Sequence, residues 1–329
     1  MITYFKQLIK RMLSRYRAFR NYMVDLFDHY KFSVRYHSIS HYTKDMMRCS
    51  IMLLNHQLEK AQTYSNMRDG YGKQKVYDLV EMIERYIKLY GTDSLVTTSI
   101  GVLSSHFKNK YSYKDERIFN CFNKLLSNLG VNPNTDNNCG GVIVLSSSNF
   151  IKDNNLLSVF ESRRSCRSYS SESITKDEIS KALSYAMTAP SACNRQCVRA
   201  HYYEDSRLIE SIIRSQKSDI DWCLKAKGLF IITANRSYFR DYFERNQRMF
   251  DAGLFSMNLV MGLHNQGIGS CFKMAQKDIT IDKNTSKIAG IPEVEDICVL
   301  LLIGKYPQEQ RVYAKSTRLQ QNEILTYHE

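Results

Sequence analysis

Proline is scarce, with 4 residues in 329, and glycine is modest at 14, so neither a Pro-rich linker architecture nor a collagen-like chain is possible. No apolar run approaches the ~20 residues needed to span a bilayer as a helix. The first apolar stretch is interrupted by Lys6, Lys10 and Arg11 and is followed by no small-residue cleavage site, so no secretory signal is expected and a cytoplasmic chain is. The sequence has no CxxC pair and no HExxH pattern. Its nine cysteines are odd in number and scattered; only Cys193 and Cys197 lie close together, which favours buried free thiols over a disulfide framework. His37 and His41 are four residues apart, but no carboxylate or cysteine is placed to complete a metal site.

What is present is globular. Hydrophobic residues make up 43% and charged residues 24%, and at ~150 residues per domain the length suits two domains. The net charge of +13 is uneven: residues 1–150 hold 21 Lys+Arg against 12 Asp+Glu, while the rest hold 25 against 21. The first 24 residues carry six bases and no acid. Such a charge attracts nucleic acid, anionic lipid or a phosphate-bearing ligand without choosing among them.

The run Gly130 to Asn149 has no Lys or Arg and is dense in Asn, Gly and Ser, which is loop chemistry, with a short strand expected at Val142–Leu145. The boundaries that follow are a helical region over 1–130, a linker over 131–150 and a second unit over 151–329. Upstream, Phe5, Ile9, Met12, Tyr16, Phe19, Met23 and Leu26 recur at four- and three-residue steps on one helix face. Further helices are expected from Thr43 to about Ser65, over Lys73–Tyr90 with Gly91 as its stop, and over Lys114–Leu129. Downstream, Thr175 and Glu178 form a capping box for a helix running to Thr188. Ala200–Glu204, Leu229–Thr233 and Ile297–Gly304 are expected strands, and Asp251 to about Gln266 a helix closed by Gly267. The fold class is α+β, preceded by an all-helical region.

Four segments carry candidate chemistry. Arg163, Arg164, Ser165 and Arg167 crowd three guanidinium forks and a hydroxyl into five residues, which suits an anionic ligand. The loop Pro190-Ser191-Ala192-Cys193-Asn194-Arg195-Gln196 offers backbone N–H groups and amides to a planar heterocycle. Gly267-Ile268-Gly269 precedes Phe272, and its glycines permit close backbone approach to a ligand, although a helix stop alone explains Gly267. Lys315, Ser316 and Arg318 near the C-terminus can bind a phosphomonoester. For each segment an ordinary surface, turn or tail is the bland alternative.

Taken in order, with Ile291-Pro292-Glu293 and Ile303-Gly304-Lys305-Tyr306-Pro307, these segments resemble the FMN-dependent nitroreductase family over residues ~155–325. The resemblance implies a central, mostly antiparallel sheet flanked by helices, and a homodimer holding FMN at its interface. By motif position, Arg163, Arg164 and Ser165 would lie along the ribityl-phosphate and Arg167 near the pyrimidine edge, where a cation favours the anionic reduced flavin. Pro190, Ser191, Ala192 and Asn194 would reach the ring from the partner subunit. Phe272, Lys273 and Met274 would line the segment meeting N5, and Lys315, Ser316 and Arg318 would anchor the phosphate. Where the family commonly has Gln-Pro-Trp, this chain has Gln196-Cys197-Val198, and Asp219 to Lys227 carries no matching polar contact.

The implied activity is hydride transfer from NAD(P)H through flavin N5 to a small nitro, quinone or other acceptor. Cys166, Cys193 and Cys197 lack a matched histidine and are expected to be packing residues. Two rivals remain open: a dedicated biosynthetic flavin oxidase or dehydrogenase, and a non-catalytic scaffold recruiting a partner or membrane through its basic helices. Nucleic acid is not expected as a partner, since no recognised module is present. His56-Gln-Leu-Glu59-Lys60 and Arg68-Asp-Gly70-Tyr-Gly72 look similar to the helical extension of some nitroreductase-like proteins. His56, Glu59 and Lys60 share a helix face, either towards the flavin pocket or as an ion pair joining two helices. The Phe5–Leu26 stripe is expected to pack on the following helices or on a dimer partner rather than on a membrane.

Overall fold

The structure, a computed structural model, describes residues 2–37, 43–62, 72–108, 116–129, 140–142, 156–217, 222–240, 242–276, 279–308 and 321–328. In the N-terminal half, helices α1 (Ile2–His37), α2 (Lys44–Gln62), α3 (Lys73–Tyr90), α4 (Ser94–Lys108) and α5 (Glu116–Asn128) follow one another. Helix α3 stops where the sequence says it should: Gly91 takes φ 77° and its N–H reaches the Ile87 carbonyl at 2.9 Å. Helix α4 is missing from the sequence reading. It has no apolar stripe because it is buried on most sides, with Leu95, Val96, Ile100, Val102 and Leu103 all in the core. Asp93 starts it by accepting the Leu95 N–H at 3.0 Å. Helices α2 to α5 share one apolar cluster that includes Ile51, Leu58, Leu79, Ile83, Leu103 and Phe122.

Helix α1 does not join that cluster. Phe5, Ile9, Met12, Tyr16, Phe19, Met23 and Leu26 are 43% to 66% exposed, so the stripe expected to pack on the following helices is uncovered within the protomer. The heptad-like spacing made the helix legible, but it gave no information on what covers its face. The expected strand at Val142–Leu145 falls largely outside the described residues.

The second half opens with α6 (Leu156–Ser162) and α7 (Lys176–Ala186). The capping box of α7 is formed: Glu178 N–H bonds Thr175 Oγ1 at 3.2 Å while Thr175 N–H bonds Glu178 Oε2 at 2.9 Å. Then come β1 (Val198–Tyr203), α8 (Ser206–Ser215), β2 (Gly228–Asn235), α9 (Gln247–Asn265), β3 (Ile268–Lys273), α10 (Ile279–Ala289), β4 (Glu295–Lys305) and α11 (Gln321–Ile324). The four strands form one sheet, in the order β1-β2-β4-β3, with every pairing antiparallel. This is the α+β architecture expected from the sequence.

Strand alternation divides the sheet's core in two. Leu229, Ile231, Leu300 and Leu302 face α8 and its Ile209, Ile212 and Ile213. Phe230, Ile232, Leu301 and Ile303 face α7 and α9, meeting Ala182, Ala186, Leu259 and Leu263. Every residue of β2 is buried, so its sequence reads as an apolar run without alternation.

The halves meet through α2. Its Cys49 joins Cys197, Ala234, Tyr238 and Phe239 in a small mixed cluster, and its thiol donates to the Tyr238 carbonyl at 3.1 Å. Asp45 accepts from Asn235 Nδ2 at 2.9 Å across the same seam.

Candidate functional site

Two groups of candidate residues lie on opposite edges of the sheet. The first gathers at β3. Ser165 forms a bridge with Ser270, and the Cys166 N–H donates to the Ser270 carbonyl at 2.9 Å, which lays residues 163–167 along the outer edge of β3. Gly269 serves this approach: a Cβ there would sit 2.7 Å from Cys166 Sγ. The close contact this glycine permits is with the chain's own arginine-rich segment.

Around this edge, Arg167 stacks its guanidinium 5.4 Å from the Trp222 ring centroid. Arg164 turns back on α6, donating to the Arg163 carbonyl at 2.9 Å and to the Glu161 carbonyl. Arg163 is half-buried and helps burial keep the His264 imidazole below its ordinary range. That ring is fixed between Ser162 Oγ at 2.8 Å and Tyr306 OH at 2.9 Å. None of these three arginines is paired with a described carboxylate. At the end of β3, Phe272 and Met274 are exposed while Lys273 points inward, and burial lowers its ammonium's affinity for its proton. The edge is thus cationic and open, with apolar side chains at its lip. Lys315, Ser316 and Arg318 lie outside the described residues.

The second group is the loop preceding β1. Cys193, Asn194 and Gln196 have φ values of 52°, 53° and 51°, a left-handed conformation that costs non-glycine residues, most of all outside Asn and Asp. Three such residues in four need strong fastening, and the structure shows it. Arg195 is 2% exposed; its guanidinium donates to Glu244 in a bidentate ion pair and to the Ala192 carbonyl at 3.0 Å, over the Phe239 ring. Asp251 of α9 accepts the Ala192 N–H at 3.2 Å, and Ser191 Oγ accepts the Gln196 N–H at 3.0 Å. Asn194 and Gln196 are held exposed, and Pro190, Ser191 and Ala192 form the approach to them. Burial and then the nearby Asp251 carboxylate push the Cys197 thiol well above its ordinary range, so it is an inert packing group.

Strand order keeps the two groups apart. Loop 190–196 enters β1 at one edge, while residues 163–167 and 272–274 line β3 at the other, three strand spacings or about 14 Å across. Register places Val198 and Lys273 towards the same end of the sheet. Within one chain the two groups therefore do not close on each other.

The loop instead faces the helical region. A cavity of about 190 Å³ lies between α2, α4 and the loop, walled by Arg48, Met52, Asn55, His56, Glu59 and Asn194. His56 and Glu59 thus share a chamber with a candidate cofactor residue. Glu59 accepts the Gly141 N–H at 2.9 Å, and the Lys60 side chain is outside the described residues. Arg48 is held by Asp93 and by Tyr86 OH at 3.0 Å.

Sequence reasoning missed Arg195, Asp251, Trp222 and Asn55. For the first three no local signal exists, because their roles depend on distant partners. Asn55 did leave one: Met52, Asn55, His56 and Glu59 place three polar groups on a single face of α2.

Residues 160–227, a stretch that holds the arginine segment and the loop, match the family model described as the nitroreductase family. Among solved structures, the chain is similar to an FMN-dependent nitroreductase from Clostridium difficile, at 19% identity, over 53% of this chain and 99% of that one, with a TM-score of 0.45. It is also similar to a nitroreductase-like family protein from Bacillus cereus, at 18% identity over 55% and 99% of the two chains, with a TM-score of 0.45. Among curated proteins, none matches the sequence.

Proposed function

We propose that the protein is an FMN-dependent oxidoreductase of nitroreductase type, transferring hydride from NAD(P)H by way of the flavin to a small acceptor, and acting as a homodimer. The observation that carries this reading is the pair of separated half-sites lying in one nitroreductase-family segment: a cationic edge at 163–167 and a strained, fastened loop at 190–196.

The residues present fit the cofactor. Arg163, Arg164 and Arg167 are unneutralised by described carboxylates, and a phosphate dianion needs such donors. Ser165 exposes a hydroxyl beside them. Phe272 and Met274 offer apolar surface to a planar ring, and Lys273 adds a buried cation beneath it. In the proposed dimer, Pro190, Ser191, Ala192 and Asn194 complete the site from the partner. FMN, when bound, supplies the hydride chemistry. The chain's own work is to bind the phosphate, place a guanidinium near the ring, exclude water with apolar side chains, and hold Asn194 rigid through Arg195. No side chain is required as a nucleophile.

A second reading, an oxidase or dehydrogenase dedicated to one metabolite, is favoured by the cavity that the helical region builds against loop 190–196. Both readings are tested by the absorbance spectrum of the purified protein, followed by turnover of NAD(P)H with generic quinones and nitroaromatics. Flavin bands and FMN released on denaturation are expected. Sluggish turnover of generic acceptors selects the second reading, and a colourless protein that FMN cannot reconstitute overturns both in favour of a scaffold.

A further inference from the structure

The apolar stripe of α1 runs beyond Leu26 to Tyr30, and all its members from Phe5 onward are 43% to 66% exposed. Side chains of this size, about half exposed, leave on the order of 100 Å² each, or about 800 Å² along the helix. A lone chain seldom keeps a patch above ~600 Å² uncovered, and ~800 Å² is what a standard interface takes from each partner.

Two features of the helix choose its cover. The first is the period. Steps of four and three alternate without a break from Phe5 to Tyr30, a heptad pattern of 3.5 residues per turn. On a straight α-helix such a stripe drifts ~20° per heptad, so over this length it winds away from a flat surface by about 70°. A second helix coiled around the first follows the drift.

The second feature is charge. With Ile9 and Tyr16 at a positions and Phe5 and Met12 at d, Arg15 takes a g position and Arg20 an e position, both exposed. Parallel helices would set each Arg15 against the partner's Arg20, like charge on like charge. Antiparallel helices pair g with g and e with e. Arg15 then lies beside the partner's Tyr22, and the Arg20 stem lies on the partner's Leu13. The same orientation brings the six bases of residues 1–24 alongside the stretch that holds Asp25 and Asp28, instead of a second set of six bases. It also leaves no member of the stripe unmatched. Phe5 meets the partner's Tyr30, Ile9 the partner's Leu26, Met12 the partner's Met23 and Tyr16 the partner's Phe19.

We propose that α1 is a dimerisation helix, its stripe covered by α1 of a second copy of this chain in an antiparallel coiled coil, with the two-fold axis between Tyr16 and Phe19. The pairing stands on α1 alone and holds whether or not the chain binds flavin.

The test is disulfide mapping in the full chain carrying Ile9→Cys and Leu26→Cys together, oxidised with glutathione disulfide and read by mass spectrometry of the linked peptides. On one helix these positions lie about 25 Å apart, beyond the ~7 Å Cα limit of a disulfide, so a 9–26 link joins two copies. The 9–26 link is expected to exceed the 9–9 and 26–26 links by about tenfold or more. Adding Phe19→Glu, which puts charge into the central layer, should abolish the 9–26 link and leave the melting temperature near the parent's. A majority of like-to-like links would show parallel pairing and overturn the proposal, as would 9–26 links that survive Phe19→Glu. No link between copies also overturns it, and if the parent then pellets with phosphatidylserine vesicles, a membrane surface is the cover instead.

Discussion

The helical region and the sheet region are stabilised by different means. The helices hold one apolar cluster, and among the described residues its principal polar anchor is the Arg48–Tyr86–Asp93 group at the start of α4. The sheet holds two apolar layers and, at the end of the sheet facing α2, a set of buried charges: Arg195 on Glu244, and both Arg236 and Arg248 on Asp296. Buried ion pairs add little net stability over apolar packing but penalise the loss of either partner heavily. The sheet region thus accepts a vulnerability that the helices avoid, and it does so where the strained loop must be held. For Arg195 and Glu244, what the pair secures is the geometry of the loop.

The largest expected effects break the comparison at its cores. Phe230→Ala should cost about 3–5 kcal/mol, and Leu79→Ala about 2–5 kcal/mol, read from urea midpoints. Because α2 is sewn to the sheet by Cys49 and Asp45, both should lower a single shared transition. Two separate transitions in either variant would show that the regions melt independently. Arg195→Ala should cost about 3–5 kcal/mol by taking the guanidinium away from the Glu244 carboxylate, and should also loosen the loop enough to weaken FMN binding.

Next comes the cationic edge. Arg163→Ala should raise the FMN dissociation constant ~10–150-fold, the equivalent of one charge-assisted hydrogen bond lost, measured by titrating apo-protein. Unaltered affinity would remove Arg163 from the site.

A smaller effect follows pH. Against the penalty of burial, His201 and Thr233 hold the Glu295 carboxyl below its ordinary range. A lowered folded-state value means stability that is present above the unfolded value of ~4.3 and lost as pH falls through the folded one. The parent's urea midpoint should therefore drop below pH ~4 more steeply than that of Glu295→Gln; parallel curves would contradict the linkage.

The smallest effects lie at the periphery. Thr175→Ala, which removes the α7 cap, should cost about 1 kcal/mol. Deleting residues 1–37 should shift the melting transition less than any core substitution, since the α1 stripe is uncovered. A large loss of stability would restore packing within the protomer, and pelleting with anionic vesicles that vanishes on deletion would identify a membrane surface as its cover.

What the sequence revealed follows from the reach of its signals. Helices α2, α3, α5, α7 and α9 and strands β1, β2 and β4 announced themselves through periodicity, caps and β-branched runs. Helix α4 did not, because burial on most sides erases the stripe, and β3 was hidden behind the glycines after α9, which suggested a helix stop or a ligand approach instead of a strand. At the site, the arginine segment and the loop were legible as motifs. The left-handed backbone at Cys193, Asn194 and Gln196 was not, since no glycine marks it and its fastening comes from Asp251 and Glu244 some fifty residues away. The meeting of Glu59 with Gly141 spans a still longer interval.

The seam between the regions also contains its own stopwatch. Cys49 and Cys197 share the mixed cluster, neither in a disulfide. Burial pushes Cys49 up to about 11 and Cys197 higher still, so in the closed molecule neither is a thiolate at neutral pH. When α2 lifts from the sheet, Cys49 loses its cover, while Cys197 keeps Asp251 of α9 beside it. The rate at which an alkylating reagent labels Cys49, followed in mass spectrometry, is then the rate at which the two halves part. Under conditions where reclosing outruns labelling, it reports the fraction of time they spend apart.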